Sequence, residues 1–227
     1  MDTLTYRRQI TADLDECMVL VADTSDLVEE VFRLRYQVYG LEKGYEPGRD
    51  GKEFDEFDSR ARHVLLVHRA SGESIGTVRI IPSFLTGGAG GLPMSSVCAP
   101  GILQGLPAWT TGEISRFAVS KQRRLSCRAG AMVRLGLMQG IIRLSGELGL
   151  THWCAIMEPT LLRLLQMNAI YYSSLGPIVE HHGLRLPSFA SIAAVVDRAR
   201  SEQPDVWNYC TLGGTLWRNQ APARLAA

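Results

Sequence analysis

The stretch that decides the fold reads Gly112-Glu113-Ile114-Ser115-Arg116-Phe117-Ala118-Val119. Its apolar residues are typical of a half-buried β-strand. A charged side chain is costly to bury unless it is paired or used, so Glu113 and Arg116 together predict a site with polar chemistry. Side chains three apart on a regular strand point to opposite faces, and a β-bulge between them would turn both to one side. A structural salt bridge at a strand end is the alternative interpretation.

The length and charge of the chain indicate an ordinary globular domain. With 227 residues, 46% of them hydrophobic, and a net charge of +1, the chain has enough apolar residues for a core and is not a polyelectrolyte. We therefore predict a single domain over 1–227. Within it, about 1–17 is expected to be an N-terminal extension. About 83–111, rich in glycine and proline, is expected to be a long irregular loop that covers or binds something.

The five cysteines and the N-terminal residues bear on the cellular compartment. The cysteines are odd in number, widely spaced and without a Cys-x-x-Cys pair, which favours reduced thiols in a cytoplasm. The first 16 residues carry charges where a secretory signal needs an apolar run, and no uncharged apolar run approaches the roughly 20 residues that span a bilayer. We expect a cytoplasmic protein without an integral membrane segment.

Hydrophobic periodicity and turn signals predict an α/β protein. Strands are expected at 19–22, 63–68, 74–81, 112–119, 151–157 and 206–212, with strand pieces at 170–172 and 178–181. Helices are expected at 24–39, 128–148, 160–167 and 188–201. The short turn at 70–72 makes 63–81 a hairpin. Alternating strands and helices with one hairpin predict a mixed, mostly antiparallel central sheet flanked by helices.

Four motifs in order carry a family resemblance: Phe32-Arg33-Leu34-Arg35-Tyr36-Gln37-Val38-Tyr39, Glu53-Phe54-Asp55-Glu56-Phe57-Asp58, Gly76-Thr77-Val78-Arg79-Ile80-Ile81-Pro82 and the stretch 113–119. The chain resembles the acyl-homoserine-lactone synthases, which are the autoinducer synthases of quorum sensing, and the related N-acyl amino acid synthases. The resemblance implies a fold similar to the GCN5-related N-acetyltransferases.

The second half of the chain resembles one branch of these families. Residues 157–165 and 175–187 are similar to the PEP-CTERM/exosortase-associated acyltransferases, which are N-acyl amino acid synthase-like. Homoserine-lactone synthases carry a Trp shortly after the early Arg, and 39–45 contains none, which favours a free amino acid over S-adenosylmethionine. The pyrophosphate loop of the acetyltransferases is only partly matched by 128–131, so a coenzyme A donor stays open beside an acyl carrier protein.

The reaction that the resemblance implies is acyl transfer from a thioester to an amine. Such a reaction needs a base for the amine proton and donors for the tetrahedral oxyanion. We assign the base to Glu113, acting directly or through a water, with Arg116 beside it. The oxyanion is assigned to backbone N–H groups from Phe117 to Val119. The alternative is that Glu113 only holds Arg116 or Arg35.

Two arginines and two aspartates are the candidates for binding the substrate amino acid, together with Ser115. Arg79 lies in an apolar strand pattern, where its guanidinium would either grip the substrate carboxylate or form a buried pair with Asp55 or Asp58. Arg35 faces the same choice. The two aspartates are expected to clamp the arginines over the site. A metal role for them is not expected, because only His63, within a strand, lies near them in sequence.

A basic cluster precedes the long helix and consists of Lys121, Arg123, Arg124 and Arg128. It suits the acidic surface of acyl carrier protein or the phosphate of its phosphopantetheine arm, and a solvated basic loop is the alternative. The cluster is small and lacks interleaved aromatic residues, which argues against nucleic acid. The adjacent His181 and His182 are interpreted as surface or packing residues rather than metal ligands.

These observations lead to one functional expectation with stated alternatives. We expect an N-acyltransferase that moves a long-chain fatty acyl group from an acyl-carrier-protein thioester to an amino acid, with no tightly bound cofactor and no metal. Contact with a membrane would be peripheral, through the lipid product. The alternatives are a signal synthase that uses S-adenosylmethionine, an enzyme that uses an acyl-CoA, and a non-catalytic acyl-binding or regulatory protein.

Overall fold

The computed structural model describes residues 16–45, 48–123 and 130–217. These residues form two compact units. The first comprises the chain up to Ile80 together with Ser115–Ile141, and the second comprises Ile81–Ile114 together with the chain from Ile142 onwards. One strand and one long helix each contribute residues to both units.

The first unit is built on an antiparallel sheet. Strand β1 (Cys17–Ala22) pairs with β2 (Arg62–His68), and β2 pairs with β3 (Ser74–Pro82). The predicted hairpin is confirmed, with a register shift between Leu66 and Val67. The next strand in order is β4 (Thr111–Val119), whose second half belongs to this unit. Strand β3 is buried along its whole length, so a charged residue on it must be paired within the protein.

Helix α1 (Ser25–Arg35) packs on this sheet and continues as a π-helix over Tyr36–Glu42. The Thr24 hydroxyl accepts a hydrogen bond from the Leu27 N–H at 3.4 Å, which makes Thr24 the N-cap of the helix. Val31, Leu34 and Val38 bury one face of the helix in a core with Leu65. A π-helical turn is a geometry frequently found at functional sites, and this one ends at Glu42.

A close contact fixes the first part of helix α3 (Gly130–Glu147) against β2. A Cβ atom on Gly140 would lie 2.4 Å from Cγ1 of Val64, so only a glycine allows this approach. A Cβ atom on Gly76 of β3 would lie 3.4 Å from Val133 and Leu137 of the same helix, which is an ordinary packing distance. The helix is therefore positioned by the missing side chain of Gly140 and by apolar packing.

The second unit contains the short helix α2 (Met94–Val97), the first residues of β4 and the rest of the chain. Residues Thr111–Glu113 of β4 pair in parallel with β5 (His152–Met157), the strand that the sequence predicts over 151–157. Strand β5 pairs antiparallel with β8 (Leu184–Ser191), which also pairs with the short strands β6 (Ser173–Ser174) and β7 (Val179–Glu180). Helix α4 (Pro159–Gln166) begins at Pro159, one residue before the start that the sequence predicts.

Two elements of the C-terminal region differ from the prediction. Residues 188–191, predicted as the start of a helix, end strand β8, and helix α5 (Ile192–Glu202) begins after the Ser191 cap. The predicted strand at 206–212 is instead helix α6 (Pro204–Thr211). Its buried residues Val206 and Cys210 are four apart, which is a helical spacing, and Pro204 begins the helix.

The fold class is the expected one, an α/β fold with a mixed, largely antiparallel sheet flanked by helices. The predicted irregular segment at 83–111 contains single helical turns at Ser83–Leu85 and Ala89–Gly91 as well as α2. Among the residues that the structure describes, no helix is both long and apolar enough to cross a membrane.

Candidate active site

Six ionised side chains of the first unit form a cluster, here called the Arg–Asp cluster. Its members are Arg35, Arg79, Arg116, Glu53, Asp55 and Asp58. Three positive and three negative charges balance each other, which offsets the cost of burying them. The cluster brings four of the predicted substrate-binding residues together, and each aspartate bonds two arginines. That these pairs hold the arginines over a substrate stays a prediction.

Arg35 lies at the most buried end of the cluster. Its side chain is 0% exposed, and it donates through Nε to Glu53 at 2.5 Å and through Nη1 to Asp58 at 2.7 Å. Within the described residues, its Nη2 has no hydrogen-bond partner. Arg35 thus leaves the helix with its charge directed into the protein, where the two carboxylates hold it.

Arg79 connects β3 to the other members of the cluster. Its Nη1 donates to Asp55 at 2.6 Å and to Asp58 at 2.8 Å, and its Nε donates to the Ser115 hydroxyl at 3.0 Å. The side chain is 1% exposed. The buried pairing that the sequence offered as one alternative for Arg79 is present, and it places Ser115 in direct contact with the guanidinium.

Arg116 forms the outer side of the cluster. It donates through Nε to Glu53 at 3.1 Å and through Nη2 to Asp55 at 3.0 Å, and its guanidinium lies 5.9 Å from the centre of the Tyr39 ring. Its backbone has φ of +52°, an uncommon conformation for a non-glycine residue within a strand. Such irregularities cost of order 1–3 kcal/mol and persist where the surrounding contacts hold them. That Glu113 and Arg116 serve one site stays a prediction.

The cluster changes the pKa values of its buried groups. Burial acts to raise the pKa of Asp58, but the guanidinium groups of Arg35 and Arg79 outweigh it and lower the pKa to about 2. His63, paired with Arg79 across β2 and β3, lies 3.8 Å from Asp58. Burial is the main cause that lowers the pKa of His63, to about 4. At neutral pH the aspartate is therefore ionised and the histidine neutral.

Glu113, the predicted base, belongs to the second unit. Its side chain is buried, and Oε2 accepts a hydrogen bond from the backbone N–H of Met94 at 2.8 Å. Cys154 is its register partner on β5. Burial first, and then the Glu113 carboxylate, raises the pKa of the Cys98 and Cys154 thiols, which indicates that both thiols lie near this carboxylate. The turn of α2 within the predicted irregular loop thus holds the candidate base.

The remaining predicted residues lie along and after the second half of β4. Phe117 and Val119, whose amides are the candidate oxyanion donors, are half-buried strand residues directly after Arg116. Lys121 is exposed, whereas the Arg123 guanidinium donates to Glu30 at 3.2 Å and to the Ser74 carbonyl at 3.1 Å. Arg124 and Arg128, the other predicted carrier-binding residues, lie outside the described residues.

Several residues of the site were not singled out by the sequence patterns. Glu53 bonds two arginines of the cluster. Its position at the start of the acidic motif 53–58 is the feature of the sequence that could have indicated this role. In the first unit, Tyr39 and His63 lie beside the cluster, and in the second unit the Met94 N–H binds Glu113. A single sequence has no signal for these contacts. No group of three or more metal-ligating side chains occurs among the described residues.

Comparison with known families and structures identifies the fold. Residues 34–134 match the family model described as "Acetyltransferase (GNAT) domain". The AHL synthase LasI is similar in structure with a TM-score of 0.61 and 21% identity, covering 76% of this chain and 88% of that chain. FeeM, an N-acyl amino acid synthase from uncultured soil microbes, is similar with a TM-score of 0.59 and 16% identity, covering 80% of this chain and 93% of that chain.

A third similar structure is that of a CoA-dependent acyl-homoserine lactone synthase, BjaI, with SAM and isopentyl-CoA. Its TM-score is 0.59 with 19% identity, and the match covers 90% of each chain. No curated protein sequence matches the chain. At these identities the structural likenesses show the GNAT-like fold. Together with the acetyltransferase-domain match, that fold supports N-acyltransferase activity.

Proposed function

We propose that the chain is a cytoplasmic N-acyltransferase that moves a long-chain fatty acyl group from an acyl-carrier-protein thioester to the amine of a free amino acid. The observation that carries the proposal is the exposed edge of the Arg–Asp cluster. Arg116 is 29% exposed and Asp55 is 26% exposed, whereas the side chains of the other four members are at most 6% exposed.

This edge is complementary to an amino acid. Arg116 and Asp55 form a contact between a positive and a negative charge at 3.0 Å. An amino acid zwitterion carries the same two charges, so its carboxylate pairs with Arg116 and its ammonium with Asp55. Arginine binds carboxylates through two parallel hydrogen bonds, which would fix the orientation of the substrate. Arg35 and Arg79 then act behind the edge by holding Asp55 and Asp58 in place.

The chemical step follows from the needs of acyl transfer. The bound ammonium first releases one proton to solvent, and the resulting neutral amine attacks the thioester carbonyl. As the oxyanion forms, a second proton of the nitrogen passes to Glu113 directly or through a water. Backbone N–H groups from Phe117 to Val119 stabilise that oxyanion. Collapse of the intermediate breaks the C–S bond and leaves the amide, and the thiolate takes the proton from Glu113 to leave as the carrier thiol. The Met94 N–H orients the Glu113 carboxylate before the reaction.

The proposals for the acyl donor and for the class of product rest on the similar solved structures and on the basic residues of this chain. FeeM is described as an N-acyl amino acid synthase, which supports the proposed product class, and BjaI is described as CoA-dependent, which keeps an acyl-CoA donor open beside the carrier protein. Lys121, Arg123, Arg124 and Arg128 provide positive charge for a phosphopantetheine arm or an acidic carrier surface. Residues 157–165 and 175–187 support the further proposal that the chain belongs with the exosortase-associated acyltransferases. The lipid product would give peripheral membrane contact.

A second candidate is a signal synthase that acylates S-adenosylmethionine. The similarity to LasI and to BjaI, which was solved with SAM and isopentyl-CoA, favours it. Binding of S-adenosylmethionine, followed by release of an acyl-homoserine lactone in the presence of an acyl donor, would replace the amino acid proposal by this one.

The test offers palmitoyl-carrier protein and a pool of the common amino acids to the purified chain and searches for new masses. The proposal expects an N-palmitoyl amino acid that disappears in Glu113→Gln and persists in Glu147→Gln. Glu147 is a matched control because it is an exposed carboxylate paired with Arg143 at the end of α3. Carrier binding without any acylated amine would instead favour a non-catalytic acyl-binding protein.

A further inference from the structure

The turn that follows β4 binds an anion that belongs to the chain itself. This segment, Ser120–Arg123, is here called the 120–123 turn. The Ser120 hydroxyl donates to Oε1 of Glu42 at 2.5 Å, and the Lys121 backbone N–H donates to Oε2 at 2.8 Å. Gln37 adds a weaker contact through Nε2 at 3.3 Å. The carboxylate at the end of the π-helix therefore lies on the donors of this turn.

Ser120 in this turn is also held by hydrogen bonds other than the one to Glu42. Ser120 is fully buried, its N–H donates to the Ile75 carbonyl at 3.0 Å, and its hydroxyl accepts from the Arg123 N–H at 3.1 Å. Successive backbone N–H groups directed at one point form a concave anion site. Burial acts to raise the pKa of Glu42, but hydrogen bonds from Ser120 and from the Lys121 and Gln122 amides lower it, so the carboxylate is ionised at neutral pH.

The position of this turn matters for the thioester donor. It carries Lys121 and Arg123, two of the residues proposed to receive the donor, and it precedes Arg124 and Arg128 in the sequence. The Arg123 guanidinium is bonded to Glu30 and to the Ser74 carbonyl, which compensates part of its charge. A negative group of the donor that approaches these amides meets the ionised Glu42.

We propose that Glu42 is a specificity-determining residue that selects the carrier-protein thioester against coenzyme A. The inference rests on the proposed function, since it concerns the donor of the same reaction. The arm of a carrier protein brings one phosphodiester with a single negative charge. Coenzyme A brings a pyrophosphate and a further phosphate, so repulsion by the carboxylate is several times larger. Glu42 thereby acts by opposing the wrong donor rather than by adding a contact to the right one.

The test compares Glu42→Gln with the wild-type protein. Glutamine keeps an oxygen that can accept from Ser120 and Lys121 but removes the charge. We expect calorimetry to show that Glu42→Gln binds coenzyme A about tenfold more tightly than the wild-type protein does. A tenfold change in affinity corresponds to the energy of one partly screened interaction between two charges. The ratio of kcat/KM for palmitoyl-CoA to that for palmitoyl-carrier protein should rise by the same factor. Glu42→Ala, which suits the helical position, should shift both values in the same direction.

A control variant and the opposite outcome distinguish selection of the donor by Glu42 from a purely structural role of Glu42 in the 120–123 turn. Glu29→Gln removes a carboxylate from the same helix, where it pairs with Arg33 and Lys52, and should leave the coenzyme A affinity unchanged. If Glu42 only orders the turn, Glu42→Gln will weaken both donors or leave coenzyme A binding as it was, which overturns the inference. The calorimetric result does not require turnover. If no acylated amine forms with any donor, the proposed function is overturned, but the effect of Glu42→Gln on coenzyme A binding can still be measured and still tests this inference.

Discussion

Arg116 donates to Asp55 at 3.0 Å across the exposed edge of an otherwise buried cluster. Among the six members of the cluster, Arg116 and Asp55 are the two with more than 6% of the side chain exposed, so their charges are the ones open to solvent in the described part of the chain. The left-handed backbone of Arg116 presents the guanidinium at that edge while Glu53 holds its Nε. The cluster thus combines a buried scaffold of ion pairs with one accessible pair.

Arg116→Asn is predicted to separate substrate binding from folding. Asparagine tolerates a positive φ better than most residues, so the strand keeps its shape while the guanidinium is lost. We expect the KM for the amino acid to rise about tenfold or more, with kcat less affected. The preference for an amino acid over the amine that lacks its carboxylate should shrink. Steady-state kinetics with the two acceptors provide the measurement, and an unchanged preference would contradict the role of Arg116 in binding the carboxylate.

Glu113→Gln is predicted to abolish most turnover without unfolding the protein. The amide oxygen can still accept from the Met94 N–H, so the local structure is retained. Loss of a general base typically costs about 10²–10⁴ in kcat. The measurement is a single-turnover rate, with thermal unfolding as the control for folding. A rate equal to that of the wild-type protein would show that another group accepts the proton.

Arg79→Ala is predicted to lose stability as well as turnover. The side chain is almost fully buried and bonds Asp55, Asp58 and Ser115, so its removal leaves buried carboxylates without compensation. Breaking a buried ion pair in this way costs about 3–5 kcal/mol. The control is Arg33→Ala, which removes an exposed pair with Glu29 and should change the stability much less. Urea unfolding of both variants measures the difference, and equal midpoints would contradict a structural role for Arg79.

The hairpin, the central sheet and the pairing of arginines with aspartates could be predicted because they follow from local pattern and from the cost of burying charge. Helix α6 was missed because its apolar residues also suit a strand, and only the four-residue spacing of Val206 and Cys210 marks a helix. The roles of Glu42 and Met94 depend on segments far apart in sequence. Those contacts are set by tertiary packing, for which composition and periodicity give no signal.

His63 is predicted to make the protein less stable as the pH falls from 6.5 towards 4. Its pKa is 6.5 in the unfolded chain and about 4 in the folded protein, mainly because burial disfavours the charged ring. A lowered folded-state pKa gives stability that is present above 6.5 and is lost as the pH falls through about 4. The loss amounts to about 3 kcal/mol for a shift of this size.

His63→Phe should remove this dependence, because a neutral ring of similar shape can keep the edge contact with Phe32 and cannot be protonated. The free energy of unfolding of this variant, measured in urea at several pH values, is expected to be flatter than that of the wild-type protein between 6.5 and 4. Below pH 4 both proteins should lose stability together as Asp58, whose pKa is lowered to about 2, becomes protonated in the unfolded chain first and then in the folded protein. Parallel curves between pH 6.5 and 4 would show that His63 does not titrate as a buried neutral group.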